Sequence, residues 1–196
     1  PTFGDRAANA GNLGAYFYQD LWAAKKIFSA MPLRHVDIGS RIDGFIGHLL
    51  VFRNVEVIDL RPVRSEIPGL NFVQSDATNL DGIDSDSLES ISCLHAAEHF
   101  GLGRYGDQVD PLAPKKFFKS LIRVLRLGGS LYLSLPIGVE RVSFDAHRVF
   151  SVSTILEEFS KEVIIWIVFF DFFKHHCFNS LINLSHIIGR TLFHDI

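Results

Sequence analysis

The chain has 196 residues, 47% of them hydrophobic and 21% charged, and a formal net charge of −3. That composition excludes a disordered chain and supplies enough length for one ordinary hydrophobic core. No long basic run or stripe is present, so nucleic-acid binding has little electrostatic support and no nucleic acid is expected as a partner.

The two cysteines, Cys93 and Cys177, have no paired spacing. A disulfide framework and a cysteine-based zinc site are therefore disfavoured, and a reducing interior is weakly favoured. No signal peptide opens the chain, but it begins at Pro1, so an upstream targeting segment stays open.

In chain order, residues 13–31 read as a helix ended by Pro32, and residues 34–38 as a short strand. Residues 44–53 read as a helix with Phe45, Leu49 and Phe52 on one face and Asp43 as its N-cap. Strands follow at 55–60 and 71–76, the second after a Pro68-Gly69 turn. An acidic connection over 80–90 leads to a strand at 90–94 and a Gly- and Pro-rich loop at 101–114. The segment 115–129 reads as a helix stopped by Gly128-Gly129, and 130–136 as a strand. A short helix at 153–160 precedes the apolar run 163–173, which carries Asp171 and is too short to cross a bilayer as a helix. It reads as a buried strand, and no transmembrane segment is expected.

Strands separated by helices, with near-continuous apolar runs, predict an α/β fold: a doubly wound, mostly parallel sheet covered on both faces. Ligands bind such sheets at the carboxyl ends of the strands. Those ends carry Asp37, Asp59, Asp76 and the segment His95–His99. The glycines after the first strand are Gly39, Gly44 and Gly47, which do not fit the G-x-G-x-x-G of a dinucleotide site. An acid at Asp37 is awkward for a pyrophosphate and suits a cationic, phosphate-free ligand.

Five segments then resemble, in order, the class I S-adenosylmethionine-dependent methyltransferase core: VDIGS (36–40), VEVIDL (55–60), FVQSDATNL (72–80), DSLESISCLHAAEHF (86–100) and VLRLGGSLYLSLP (124–136). More closely, GAYFYQDLWAAKKIF (14–28), HVDIGSRIDGF (35–45), HAAEHFGLGRYGD (95–107) and PIGVERVSFDAHRVFS (136–151) resemble a methyltransferase-related family of unknown function, over roughly 10–155. The resemblance implies a Rossmann-like sheet over 1–160. It leaves 161–196 as a divergent apolar segment that completes or flanks that sheet, with an incomplete or divergent C-terminal hairpin. TLFHD (191–195) is the best candidate for a last strand, and His175, His176, His186 and His194 have no ligand-like spacing.

The resemblance also implies S-adenosylmethionine as cofactor. Gly39 would let the backbone approach the methionine part, and Asp37 would face its ammonium group, directly or through water. Asp59 would accept the ribose hydroxyls, and Asp76 with Ala77 would hold the adenine. Tyr16, Tyr18 and Gln19 could fold over the ligand. Arg41 departs from the glycine-rich turn of the family. It could clamp the cofactor carboxylate, pair with Asp43 or narrow the pocket. His147, His99 and Glu98 are the candidate catalytic residues, the histidines because their pKa suits a general base. Arg104, Arg141 and Arg148 could receive an anionic acceptor. No spacing compels a metal site from Glu98, His99, Asp107 or His147. The function so implied is methyl transfer to a small or glycan-like acceptor. The alternative is an inactive methyltransferase-like binding or scaffold protein.

Overall fold

The computed structural model describes residues 14–64, 66–144 and 146–159, together with the backbone of Ile164–Phe170 and Ile182–Asn183. Asp145, Cys177, His175, His176, His186, His194 and TLFHD lie outside the described residues.

Helix α1 (Ala15–Ala30) ends as expected. Met31 takes a left-handed conformation, its N–H closes on Ile27 O at 3.0 Å, and Pro32 cannot continue the helix. Strand β1 (Val36–Ile38) is buried at every position. After it the chain makes a wide helical turn over Ile42–Ile46 and then α2 (Gly47–Leu50). The expected Asp43 cap is not made. Arg41 holds the cap position and its side chain makes no capping bond, while Asp43 lies inside the first turn.

Strands β2 (Val55–Asp59), β3 (Leu70–Gln74) and β4 (Leu88–Leu94) follow. The connections between β2 and β3 and between β3 and β4 hold no helix among the described residues, in keeping with the turn and the acidic connection read there. Helix α3 (Ala113–Val124) starts earlier than expected, with Pro114 in its first turn, where a missing N–H costs nothing.

Strand β5 (Leu125–Pro136) begins five residues before the predicted start. Gly128 and Gly129 do not end α3. They lie in β5 at a register shift: Leu125 pairs with Leu88, and regular pairing resumes at Ser130 with Ser90. A two-stranded hairpin, β6 (Arg141–Ser143) and β7 (His147–Val149), stands where the sequence reads only as loop. Helix α4 (Val152–Glu158) is capped by Ser151, whose hydroxyl accepts from Thr154 N at 3.1 Å.

The main sheet runs β3-β2-β1-β4-β5-β8-β9, where β8 is Ile164–Phe170 and β9 is Ile182–Asn183. The pairs β1 to β5 are parallel, β8 is parallel to β5, and only β9 is antiparallel. The apolar run is a strand, as expected, and it adds directly to β5. Among the described residues, the C-terminal edge of the sheet is the short antiparallel pair β8–β9.

Two cores cover the two faces. Ala23, Ala24 and Ile27 of α1 pack with Phe45, Ile46 and Leu49 against Val55, Val57 and Tyr132. On the other face Phe117, Leu121 and Val124 of α3 and Ile155 of α4 pack against Leu131, Leu133 and Leu135. Strand order reverses between β1 and β4, and that reversal opens a crevice at the carboxyl ends of both.

Candidate functional site at the strand ends

A cleft of about 300 Å³ opens at that crevice. Its walls come from the turn after β1 (Gly39, Ser40, Arg41), the end of β2 (Asp59, Leu60, Arg61) and the segment after β3 (Ser75 to Thr78). The segment after β4 (His95, His99, Tyr105, Asp107) and the start of α1 (Tyr16, Gln19, Asp20) close the other side. Of the candidate residues, Gly39, Arg41, Asp59, Asp76, Ala77 and His99 share this one cleft.

Asp37 does not line it. The carboxylate is fully buried beneath the turn. Oδ1 accepts from Ser40 N at 3.0 Å, and Oδ2 accepts from Ser40 Oγ at 2.7 Å and Ser92 Oγ at 2.5 Å. Ser40 Oγ in turn accepts from Leu94 N at 3.0 Å. The chain continues inward: His35 lies 3.0 Å from Ser92 Oγ through Nε2 and 2.8 Å from Ser90 Oγ through Nδ1. One tautomer satisfies every member. Ser90 donates to Nδ1, Nε2–H donates to Ser92, and Ser92 donates to Asp37. Burial pushes the Asp37 carboxyl up to about 7 and the His35 imidazole down to about 3. Asp37 holds the turn in shape and does not reach the cleft surface where a ligand ammonium was expected. The acid was legible in the sequence. The link through Ser92 to His35 was not, because Ser92 lies 55 residues along the chain from Asp37.

Gly39 adopts φ +68°, and a Cβ there would come 2.8 Å from the Cβ of Ala96. The glycine is therefore required by the close passage of the segment after β4, whatever else approaches it. A Cβ at Gly44 would stand 2.7 Å from Asp20 Oδ2, so the late glycine serves a carboxylate on α1. Burial raises the Asp20 pKa, and a hydrogen bond from Gln19 Nε2 at 3.1 Å opposes the shift. Gln19 Oε1 accepts from Ser134 Oγ at 2.6 Å, which fixes α1 to β5. Tyr16 and Gln19 reach the cleft and Tyr18 does not.

Arg41 sits on the cleft lip but turns onto Asp43, donating from Nε at 3.1 Å and Nη2 at 2.9 Å. Both side chains are exposed, and of the three expectations for Arg41 the pairing with Asp43 is the one formed. Asp76 makes an Asx turn, accepting from Thr78 N at 2.8 Å. Asp59 is held by Arg61 on both oxygens, at 2.8 and 3.0 Å on Oδ1 and 2.6 Å on Oδ2.

After β4, His95 takes a left-handed φ of 53°, uncommon for a side chain of its size. Its Nδ1 lies 2.9 Å from Glu98 Oε1, and Tyr16 meets its ring edge-on at 5.1 Å. Glu98 is buried, and its Oε2 has no hydrogen-bond partner among the described residues. It stands behind the cleft wall. His99 donates from Nδ1 to Ala146 O at 2.8 Å, which leaves Nε2 as the acceptor nitrogen of the neutral ring. That nitrogen is 4.0 Å from Glu98 Oε1, and burial lowers the His99 pKa. His147 on β7 lies one ring further back, 6.4 Å from His99 between centroids, and burial lowers its pKa too.

Arg104 donates to Ala146 O at 2.7 Å, Arg141 to Val139 O at 2.9 Å, and Arg148 to Phe100 O, so each fastens a loop backbone. Asp107 accepts from Gly103 N and Tyr105 N, both at 3.2 Å, and thereby shapes the loop that presents Tyr105.

The family described as Caenorhabditis protein of unknown function, DUF268, matches residues 65–176, more than half of the chain. The chain belongs to this DUF268 family. No curated protein matches it. Among solved structures, the DUF268 chain is similar to Burkholderia thailandensis 1,6-didemethyltoxoflavin-N1-methyltransferase, which was solved with 1,6-didemethyltoxoflavin and S-adenosylhomocysteine bound. The TM-score is 0.53 at 16% identity, over 74% of this chain and 66% of that one. A second similar structure comes from the complex between the Haloferax volcanii Trm112 methyltransferase activator and a protein described as a methyltransferase. There the TM-score is 0.48 at 15% identity, over 76% of each chain. At 16% identity the first likeness shows the fold: the DUF268 chain has a Rossmann-like, class I methyltransferase-like sheet. No helix among the described residues is long and apolar enough to cross a membrane.

Proposed function

We propose that the chain binds S-adenosylmethionine in the strand-end cleft and transfers its methyl group to a small or glycan-like acceptor. One observation carries this reading: Gly39, Asp59, Asp76 and Ala77, from three successive strand ends, line a single cleft with Tyr16, Asp20 and His99. The donor set fits the cofactor. Asp59 is a carboxylate able to take two hydroxyl donors. Tyr16, Tyr105 and Asp20 suit a cationic group, and no phosphate needs to be cradled. The cofactor of the similar Burkholderia enzyme points the same way.

When bound, S-adenosylmethionine supplies an electrophilic methyl group on a sulfonium. The residues of the chain then have three tasks. Asp59 and the segment at Asp76–Ala77 hold the nucleoside. The buried Asp37–Ser40–Ser92 network keeps the turn at Gly39 in place. His99 takes the acceptor proton at Nε2, the nitrogen not used on Ala146 O, and burial keeps its ring neutral for that role. Glu98 positions the neighbouring histidines from behind, and His147 stands behind His99 as a less direct candidate.

Calorimetry with S-adenosylmethionine and S-adenosylhomocysteine tests the reading. Saturable binding, weakened at least about tenfold by Asp59→Ala, is expected from the loss of a carboxylate that accepts two hydroxyls. No heat at millimolar ligand would sink it. A second reading, a methyltransferase-like binding module without turnover, draws on the hold that Arg61 has on both Asp59 oxygens. Cofactor binding with no S-adenosylhomocysteine formed across a panel of sugar and small-molecule acceptors would favour that module.

A further inference from the structure

The strand-end acid that would take the ribose is already occupied by a side chain. Arg61 donates from its backbone N and Nε to Oδ1 of Asp59, and from Nη2 to Oδ2. The same Nη2 reaches Gly39 O at 3.4 Å, and the guanidinium carbon lies 4.8 Å from the centroid of the Tyr105 ring. One cation therefore joins the end of β2, the turn after β1 and the loop after β4, and all four residues line the cleft. Asp59 keeps 13% of its side-chain surface exposed and Arg61 keeps 48%, so the cation covers the acid from the open side.

A ribose diol engages a carboxylate through two hydroxyl donors, which use the same in-plane lone pairs as a bidentate guanidinium. The two cannot hold Asp59 in the same way at the same time. The backbone bond from Arg61 N does not conflict, because it belongs to the turn itself.

We infer that Arg61 is an affinity-setting residue of the nucleoside site: a counter-ion latch that a ribose diol must displace from Asp59. This rests on the cofactor reading above. Displacement also breaks the contacts with Gly39 and Tyr105, so diol binding frees the loop carrying Tyr105 from the β1 turn. The pair is bidentate, but its Arg61 side is half-exposed, which limits its strength to that of a good surface ion pair.

The test is S-adenosylhomocysteine calorimetry on the native chain, Arg61→Ala and Arg61→Lys, at low and high sodium chloride, with circular-dichroism melts as a folding check. Arg61→Ala is expected to bind about 3- to 10-fold tighter than native at low salt. Arg61→Lys, which lacks the planar fork, falls between them. Native affinity rises with salt as the latch is screened, and Arg61→Ala does not share that rise. If the native chain binds and both variants bind equally well or more weakly, the latch is wrong while the cofactor reading stands. If none of the three binds at millimolar ligand, the cofactor reading falls and the latch falls with it.

Discussion

Two acids on consecutive strands, adjacent in the same sheet, meet opposite fates. Asp37 at the end of β1 is walled in, and all its contacts are neutral donors from Ser40 and Ser92. Asp59 at the end of β2 stands at the cleft, and its partner is a half-exposed guanidinium. The first can be satisfied only by groups the fold itself supplies. The second can exchange its partner for a ligand at small cost, because water screens what is lost. The comparison separates a residue that builds a site from one that serves it, although both carry the same functional group in the same kind of position.

The sharpest way to break the comparison is to truncate both acids. Asp37→Ala leaves Ser40 N, Ser40 Oγ and Ser92 Oγ without their acceptor inside the protein, a loss of roughly 3 kcal/mol. For a chain of this size that lowers Tm by on the order of 10 °C. Asp59→Ala removes an exposed pair and costs about 1 kcal/mol or less, yet removes the nucleoside's acceptor. Thermal melts that show equal losses for the two variants would erase the distinction.

A pH series probes the buried side alone. In the folded chain Asp37 has a raised pKa of about 7, so its contribution to stability is greatest in acid and falls as pH rises from the ordinary carboxylate value through 7. His35 has a depressed pKa of about 3, so its contribution is lost as pH falls below the ordinary histidine value. Between roughly pH 4 and 6.5 the folded pair holds one proton, on Asp37, and the unfolded pair holds one, on His35. Their effects cancel, and the network adds no pH slope to native stability. His35→Gln removes the compensation. The variant is expected to lose roughly 3 kcal/mol more than native between pH 4.5 and 7. A flat Tm-versus-pH difference between variant and native would contradict this.

Chemistry at the cleft gives the next contrast. His99→Asn is expected to lower methyl transfer by about 10²- to 10⁴-fold with little change in S-adenosylhomocysteine affinity, once an acceptor is in hand. A proportional loss of cofactor binding would instead make His99 a wall of the nucleoside site.

The same pair of acids shows what a sequence discloses. The apolar runs ending in Asp37 and Asp59 are local patterns, and they locate β1, β2 and the crevice without tertiary information. The fate of each acid is not local. Ser92 reaches Asp37 across 55 residues, and Tyr105 meets Arg61 only because β4 lies beside β1. Boundary errors have the same origin. Leu125 reads as the last turn of an apolar helix, but its pairing with Leu88 pulls residues 125–129 into the sheet. The β6–β7 hairpin was missed because its strands are three residues each and half exposed, which leaves too little alternation to read.

The smallest effect concerns Arg41, where the sequence offered a clamp, a blockage or a local pair. The local pair is formed, between two side chains that are mostly in solvent. Arg41 holds the Asp43 carboxyl below its ordinary pKa, so the stability it adds is present above about pH 4 and is lost as pH falls through the lowered value. Screening keeps that contribution below roughly 0.5 kcal/mol. A guanidinium already satisfied two residues away has little reason to cross the lip and clamp a cofactor carboxylate. Arg41→Ala should therefore change S-adenosylhomocysteine affinity by less than about threefold, the range of a surface pair. A loss of tenfold or more would mean that the guanidinium leaves Asp43 when the ligand arrives, and the lip would then behave as the Asp59–Arg61 pair does, exchanging partners across the mouth of the same cleft.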